Sequence, residues 1–226
     1  HEDALRRWAQ AYPDIGFGVV LPRVVWDREL PRLRRELEAA RQAGVTQALL
    51  GHIGQLPLAR SFGLIPRGDF GLGLTNDETA ELARLGFASA TASFESRLAQ
   101  IRDLSKPLDL ELLVYGRLPL MLMEHCILRN RGQGCHCQDK PQSLGDRKGE
   151  HFPVESAWGC RNELFNAKPL WLADKTDWRT AGAAYARLAF LREGPGECAR
   201  VFRAYREGAG EPPRAFTRGL YYRGVE

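Results

Sequence analysis

Short apolar runs alternate with stretches of helical period over the first half of this chain, and no other feature restricts its fold more. Strand, helix and strand in that rhythm build a parallel sheet. Asp14 to Val20 reads as a buried strand. Asp27 can cap the next helix, where Leu30, Leu33, Leu37 and Ala40 recur at helical spacing and Gly44 supplies a left-handed stop. Thr46 to Leu50 reads as a strand and Gln55 to Ser61 as a shorter helix. Phe70 to Leu74 is a strand, Asn76 a cap, Leu82 and Leu85 a buried face, and Gly86 a stop. Phe87 to Ala92 is followed by Ser93 as cap and by Leu98 and Ile101 as the buried face of another helix. Asp109 to Val114 and Ala184 to Leu191 are further strands, the latter before a helix that Pro195 opens and that runs to Glu207.

These are six strands, whereas a closed (β/α) barrel takes eight in about 250 residues. An open doubly wound sheet competes with a partial barrel. No Gly-x-Gly-x-x-Gly follows the first strand, and Gly71-Leu-Gly73 lies within a strand pattern, so a dinucleotide fold has weak support.

The rhythm breaks between residues 117 and 175, where Gly, Asn, Arg and Pro are frequent and periodicity is slight. An irregular stretch of this length needs something to organise it. It holds four of the five cysteines, Cys126, Cys135, Cys137 and Cys160, in the spacing Cys-x8-Cys-x-Cys-x22-Cys. That is neither the paired spacing of a zinc ribbon nor a ferredoxin run, but ligands drawn from separate loops need no regular spacing. Soft thiolates suit zinc or an iron–sulfur cluster. Arg129, Arg131, Arg147 and Arg161 stand nearby to offset the charge. The competing reading is a set of reduced cysteines, two of them buried. Cys198, on the last helix, reads as a small buried residue. The chain thus divides into βα repeats over 1–116, a cysteine-rich segment over 117–175, and a final βα unit with an aromatic, basic tail over 176–226.

A hydrophobic content of 44% and a charged content of 27% fit a globular class. No apolar run approaches the roughly 20 residues that span a bilayer, so no membrane partner is expected. The opening HEDALRRWAQ has no signal-peptide core and no initiator Met, which suggests a cytoplasmic protein of which this chain is a piece. A net charge of +4 permits contact with nucleic acid.

Several phrases together carry a family resemblance. They are Glu111-Leu-Leu-Val-Tyr-Gly-Arg-Leu-Pro-Leu-Met121, Glu124-His-Cys126, Asp146-Arg-Lys-Gly149, Phe152-Pro-Val154, Cys160, Asn166 and Arg223-Gly-Val225. Leu21-Pro22-Arg23, Asp69-Phe70-Gly71 and Thr75-Asn76 add to them. In combination, from about residue 14 to the end, they resemble the collagenase-like peptidase family (peptidase family U-32), in particular a long-chain subgroup related to RNA hydroxylation proteins. The resemblance implies a TIM-barrel-type (β/α) fold, of which this chain supplies the later strands. Its partner would be the remaining N-terminal part of the barrel or another chain. It also implies a four-iron four-sulfur (4Fe-4S) cluster on Cys126, Cys135, Cys137 and Cys160, with zinc as the alternative. The implied activity is hydroxylation of bases in ribosomal or transfer RNA; the alternatives are collagenase-like proteolysis and a non-catalytic, zinc-stabilised domain. The common family form has a cysteine where this chain has Pro119. The family's Ser-Pro-Glu phrase is Ser93-Phe94-Glu95 here.

In a barrel, the C-terminal strand ends line the active site, which groups His52, Asn76, Glu95, Tyr115 and Arg117. His52 is a candidate base or ligand, or else a solvated loop residue. Asn76 is explained by capping alone. Glu95 is a candidate base, or else an acid suited to a helix N-terminus. Tyr115 completes the group. Glu124 and His125 adjoin Cys126 and are candidates for positioning substrate or supporting the ligands; otherwise they are ordinary loop residues. Arg117, Arg129, Arg131 and Arg147 are the candidate phosphate contacts. The chain has no His-Glu-x-x-His and no Gly-x-Ser-x-Gly, so proteolysis has no visible machinery.

Overall fold

The computed structural model describes residues 2–77, 79–127, 129 and 141–224. The chain forms two compact units, one of residues 1–112 with 182–185 and one of residues 113–181 with 186–226.

The first unit is a mixed α/β structure. Its elements are α1 (Glu2–Ala11), β1 (Gly18–Val20), α2 (Leu30–Gln42), β2 (Gln47–Leu50), α3 (Leu56–Ser61), β3 (Ile65–Gly68), α4 (Thr79–Arg84), β4 (Ser89–Thr91), α5 (Leu98–Asp103) and the start of β5 (Asp109–Gly116). Every neighbouring pair from β1 to β5 is parallel, and spatial order follows chain order. A doubly wound sheet reverses its order at a switch point; this one does not reverse. Among the described residues, β1 pairs with β2 alone and forms the edge, where Val20 is 70% exposed.

The register sorts the strand residues onto two faces. Ala48, Leu50, Ala90, Leu110 and Leu112 share one face and are buried. Leu33 and Leu37 of α2, Leu56, Leu58 and Ala59 of α3, and Leu98 and Ile101 of α5 complete that core. The other face carries Gln47, Arg67, Ser89 and Asp109. There Arg67 donates to Gln47 Oε1 (2.5 Å) and Ser89 Oγ (2.8 Å). Its guanidinium lies 5.0 Å from the Tyr185 ring centroid, and the Tyr185 hydroxyl donates to Asp109 Oδ2 (3.1 Å). Parallel sheets are commonly apolar on both faces; this one is apolar on one face and hydrogen-bonded on the other.

Several local expectations need correction. The first strand is only Gly18–Val20, with Gly18 and Val20 exposed and Val19 half-buried. Residues 70–72 form a tight turn, and the strand lies earlier, at Ile65–Gly68. Pro66 masks that strand in the sequence, since proline argues against a central strand. Leu85 is exposed. Asp27 lies inside a short helical turn, and Glu29 instead accepts the Trp26 N–H (2.8 Å). Ser93 stabilises a turn by accepting the Glu95 N–H (3.2 Å), and Arg97 is the residue that precedes α5. Gly44, at φ +98°, does end α2 as expected.

The second unit takes up the end of β5 and continues through β6 (Pro119–Met123), β7 (Gln142–Gly145), β8 (His151–Ala157), β9 (Arg161–Phe165), β10 (Leu170–Trp171), β11 (Tyr185–Ala189) from its second residue on, and α6 (Pro195–Glu207). β6, β9, β8 and β7 form an antiparallel sheet in that order. The described part of the segment expected to be irregular thus contains the five strands β6 to β10. Its strands escape a periodicity search because Gln-Ser-Leu-Gly and Arg-Asn-Glu-Leu-Phe hold few apolar residues and Pro153 interrupts β8. Cross-strand pairing, more than propensity, holds such strands.

α6 has the extent expected of it and anchors the unit through Tyr205. The buried Tyr205 hydroxyl donates to the Val114 carbonyl (2.6 Å) and accepts the Leu172 N–H (2.7 Å). Its ring meets Trp171 at 5.5 Å in an edge-on contact. Burial pushes the Tyr205 phenol well above its ordinary range, so it remains a donor. Tyr205→Phe strands the buried Leu172 N–H. It is expected to destabilise the second unit by about 2 kcal/mol in denaturant unfolding, the range for an unsatisfied buried donor.

Candidate metal centre

The antiparallel sheet gathers two of the four candidate thiols at one of its ends. Met123, the last residue of β6, pairs with Asn162 of β9. Ala157, the last residue of β8, pairs with Arg161. Cys126 follows β6 by three residues, and Cys160 immediately precedes β9. The chain leaves the sheet after Met123 and re-enters at Gln142, opposite Val154, running away from that same end. Cys135 and Cys137 fall between those points and lie outside the described residues, as does Arg131.

Arg161 and Asn162 hold this end together. Arg161 is 1% exposed. Its Nε donates to Glu124 Oε2 (2.5 Å) and its Nη2 to Glu124 Oε1 (3.0 Å), a bidentate pair. Its Nη1 donates to the Trp158 carbonyl (3.0 Å). Asn162, wholly buried, accepts the Ile127 N–H through Oδ1 (2.8 Å) and donates through Nδ2 to the Arg161 carbonyl (3.1 Å). Two consecutive residues therefore bind the chain on both sides of Cys126, and they directly follow Cys160.

Each thiol also has a local constraint. Cys126 is half-buried, and its Sγ accepts the Arg129 N–H (3.4 Å), which orients the sulfur. Cys160 is exposed and adopts φ +64°, and it is the one non-glycine with positive φ among the described residues. It follows Gly159 at φ +70° in the three-residue turn between β8 and β9. A left-handed cysteine costs about 1–2 kcal/mol relative to ordinary backbone. Such strain collects where a side chain must be aimed. The described part of the site therefore offers two soft donors, one oriented and one exposed; among the described residues no group of three or more His, Cys, Asp or Glu side chains is placed to hold a metal ion.

The remaining candidates are distributed as follows. In the first unit, His52 is exposed beyond the end of β2, and Glu95 is exposed in the turn before α5. The residue that shapes the loop at His52 is Gln55. It is buried, accepts the Gly51 N–H (3.0 Å) and donates to the Pro22 carbonyl (2.6 Å). Asn76 is exposed. In the second unit, Tyr115 is buried, and its hydroxyl donates to Glu193 Oε1 (3.0 Å). Burial, and then the Glu193 carboxylate, push its phenol well above the ordinary range, so it stays protonated. Glu124 and His125 are exposed beside Cys126. Arg117 is tied to the Asn166 and Ala167 carbonyls. Arg147 lies in the β7–β8 turn, at the opposite end of the sheet from Cys126 and Cys160. Of the proposed phosphate contacts, Arg129 is exposed next to a candidate thiol. Cys198 is half-buried, with its thiol directed at the Glu193 carbonyl (3.6 Å). Asn162 went unnoticed in the sequence because a polar residue after a turn gives no periodic signal.

No family model, curated protein or solved structure matches the chain. Among the described residues, no helix is long and apolar enough to cross a membrane.

Asn162→Leu keeps the branched heavy-atom skeleton, though with bulkier methyl groups, and removes the acceptor for Ile127. A loss of about 1–2 kcal/mol in unfolding free energy is expected from the deleted buried bond. Hydrogen exchange should show the Ile127 amide losing its protection while the amides of α6 keep theirs.

Proposed function

We propose that this chain is part of an iron–sulfur enzyme of (β/α)-barrel type that hydroxylates RNA bases. The observation that carries the reading is the double anchoring of Cys126 by Glu124 and Ile127 onto Arg161 and Asn162, the residues that follow Cys160. Thiols presented in this way, with Cys135 and Cys137 in the intervening connection, suit a four-thiolate site better than four dispersed cysteines would. When bound, the cluster would supply one-electron chemistry, which protein side chains lack. The chain's own part is to aim the sulfurs and, through exposed cations such as Arg129, to meet phosphate. The sequential parallel order of β1 to β5 supports a barrel in preference to a doubly wound sheet. The exposed β1 edge suits a further strand from the rest of the barrel or from another chain. Reduced thiolates and such a cluster belong in the cytoplasm.

Cys126→Ala is the direct test. Protein purified without air should show visible charge-transfer absorbance and bound iron, and both should fall to background in the variant. Bulk RNA from cells carrying only the variant should lack a hydroxylated base that the wild type contains. Protein with zinc and no iron would favour the zinc-stabilised domain. Gelatin cleavage by the purified wild type, lost in C126A, would overturn the reading in favour of proteolysis.

A further inference from the structure

Burying a guanidinium costs several kcal/mol unless its donors are satisfied. At Arg161 they are used to fasten two turns of chain, Glu124 beyond β6 and Trp158 beyond β8. One turn leads into Cys126 and the other contains Cys160. Asn162 adds the Ile127 amide on the far side of Cys126. Glu124 itself is half-exposed, with 54% of its side chain open to solvent. From that position both of its carboxylate oxygens accept from the arginine's fork.

We infer that Glu124, Arg161 and Asn162 form a clamp that fixes the turns carrying Cys126 and Cys160 at one end of the antiparallel sheet before any metal enters. They are positioning residues for the thiolate site, acting through the backbone on either side of each sulfur. This rests on the metal reading for its purpose but not for its geometry. A site whose ligands are held in place binds with less ordering entropy and releases metal more slowly. Residues that orient ligands in this way typically change metal affinity by about 10- to 100-fold when removed.

The test separates geometry from metal. In protein with Cys135, Cys137 and Cys198 replaced by Ser, bis-maleimidoethane should join Cys126 to Cys160 within one molecule, as read by peptide mapping. Glu124→Ala should cut the yield of that cross-link clearly below the wild-type yield, with single labelling of each thiol unchanged. Glu124→Gln, which retains one acceptor for the fork, should fall between. In protein with all five cysteines, Co(II) bound to the wild type should pass to a chelator about 10- to 100-fold faster from E124A. Circular dichroism at a temperature where all forms are folded keeps the comparison independent of stability. Equal cross-linking in wild type and both Glu124 variants would overturn the clamp, even if metal binds. A Glu124-dependent cross-link in protein that takes up neither iron nor Co(II) would uphold the clamp and remove the iron–sulfur reading.

Discussion

The second unit is organised around a positive charge held out of water. Arg161 is buried with its guanidinium engaged by a two-oxygen contact from Glu124 and by the Trp158 carbonyl, which offsets the cost of taking the charge out of water. Those partners are not core residues. They come from the turns that end β6 and β8, so satisfying the charge also fixes where the chain goes after each strand. The antiparallel sheet sets the register, and the arginine converts that register into a fixed arrangement of loops. Hydrophobic burial elsewhere in the unit, around Tyr115, Trp171 and Tyr205, stabilises the fold but leaves the loop ends undetermined.

The first unit follows a different logic. Its sheet is covered on one face by helices and carries on the other a row of polar side chains that satisfy one another across strands. Arg67 is the centre of that row, reaching Gln47 on one neighbour and Ser89 on the other while stacking on Tyr185. A parallel sheet with one dry and one hydrogen-bonded face loses some apolar burial. In exchange the register of β2, β3 and β4 is specified by complementary polar partners, so a one-residue slip would break several bonds at once.

The sequence revealed these two units unequally. Where helices alternate with strands, the period of the apolar residues locates α2, β2, α3, β4, β5 and α6 within a few residues. Pro66 and Arg67 hid β3, because a proline and a cation inside a strand contradict the simple pattern while the polar face of the sheet tolerates both. The antiparallel sheet was invisible because its stabilisation comes from pairing between strands far apart in sequence. Within the candidate centre, the cysteines were legible by type and spacing. Arg161 reads in the sequence as a charge near them, although it acts through its hydrogen bonds. Asn162 carried no signal, since its importance depends on one amide thirty-five positions earlier, Ile127.

The left-handed backbone at Cys160 has a consequence for how this protein would drift. Glycine occupies that conformation without penalty, so Cys160→Gly would relieve about 1 kcal/mol of strain and leave the turn intact. Selection for thermal stability or expression alone would therefore favour losing the thiol. A population of variants sorted on folding alone would shed Cys160, so its retention under any other selection would record what the turn is for.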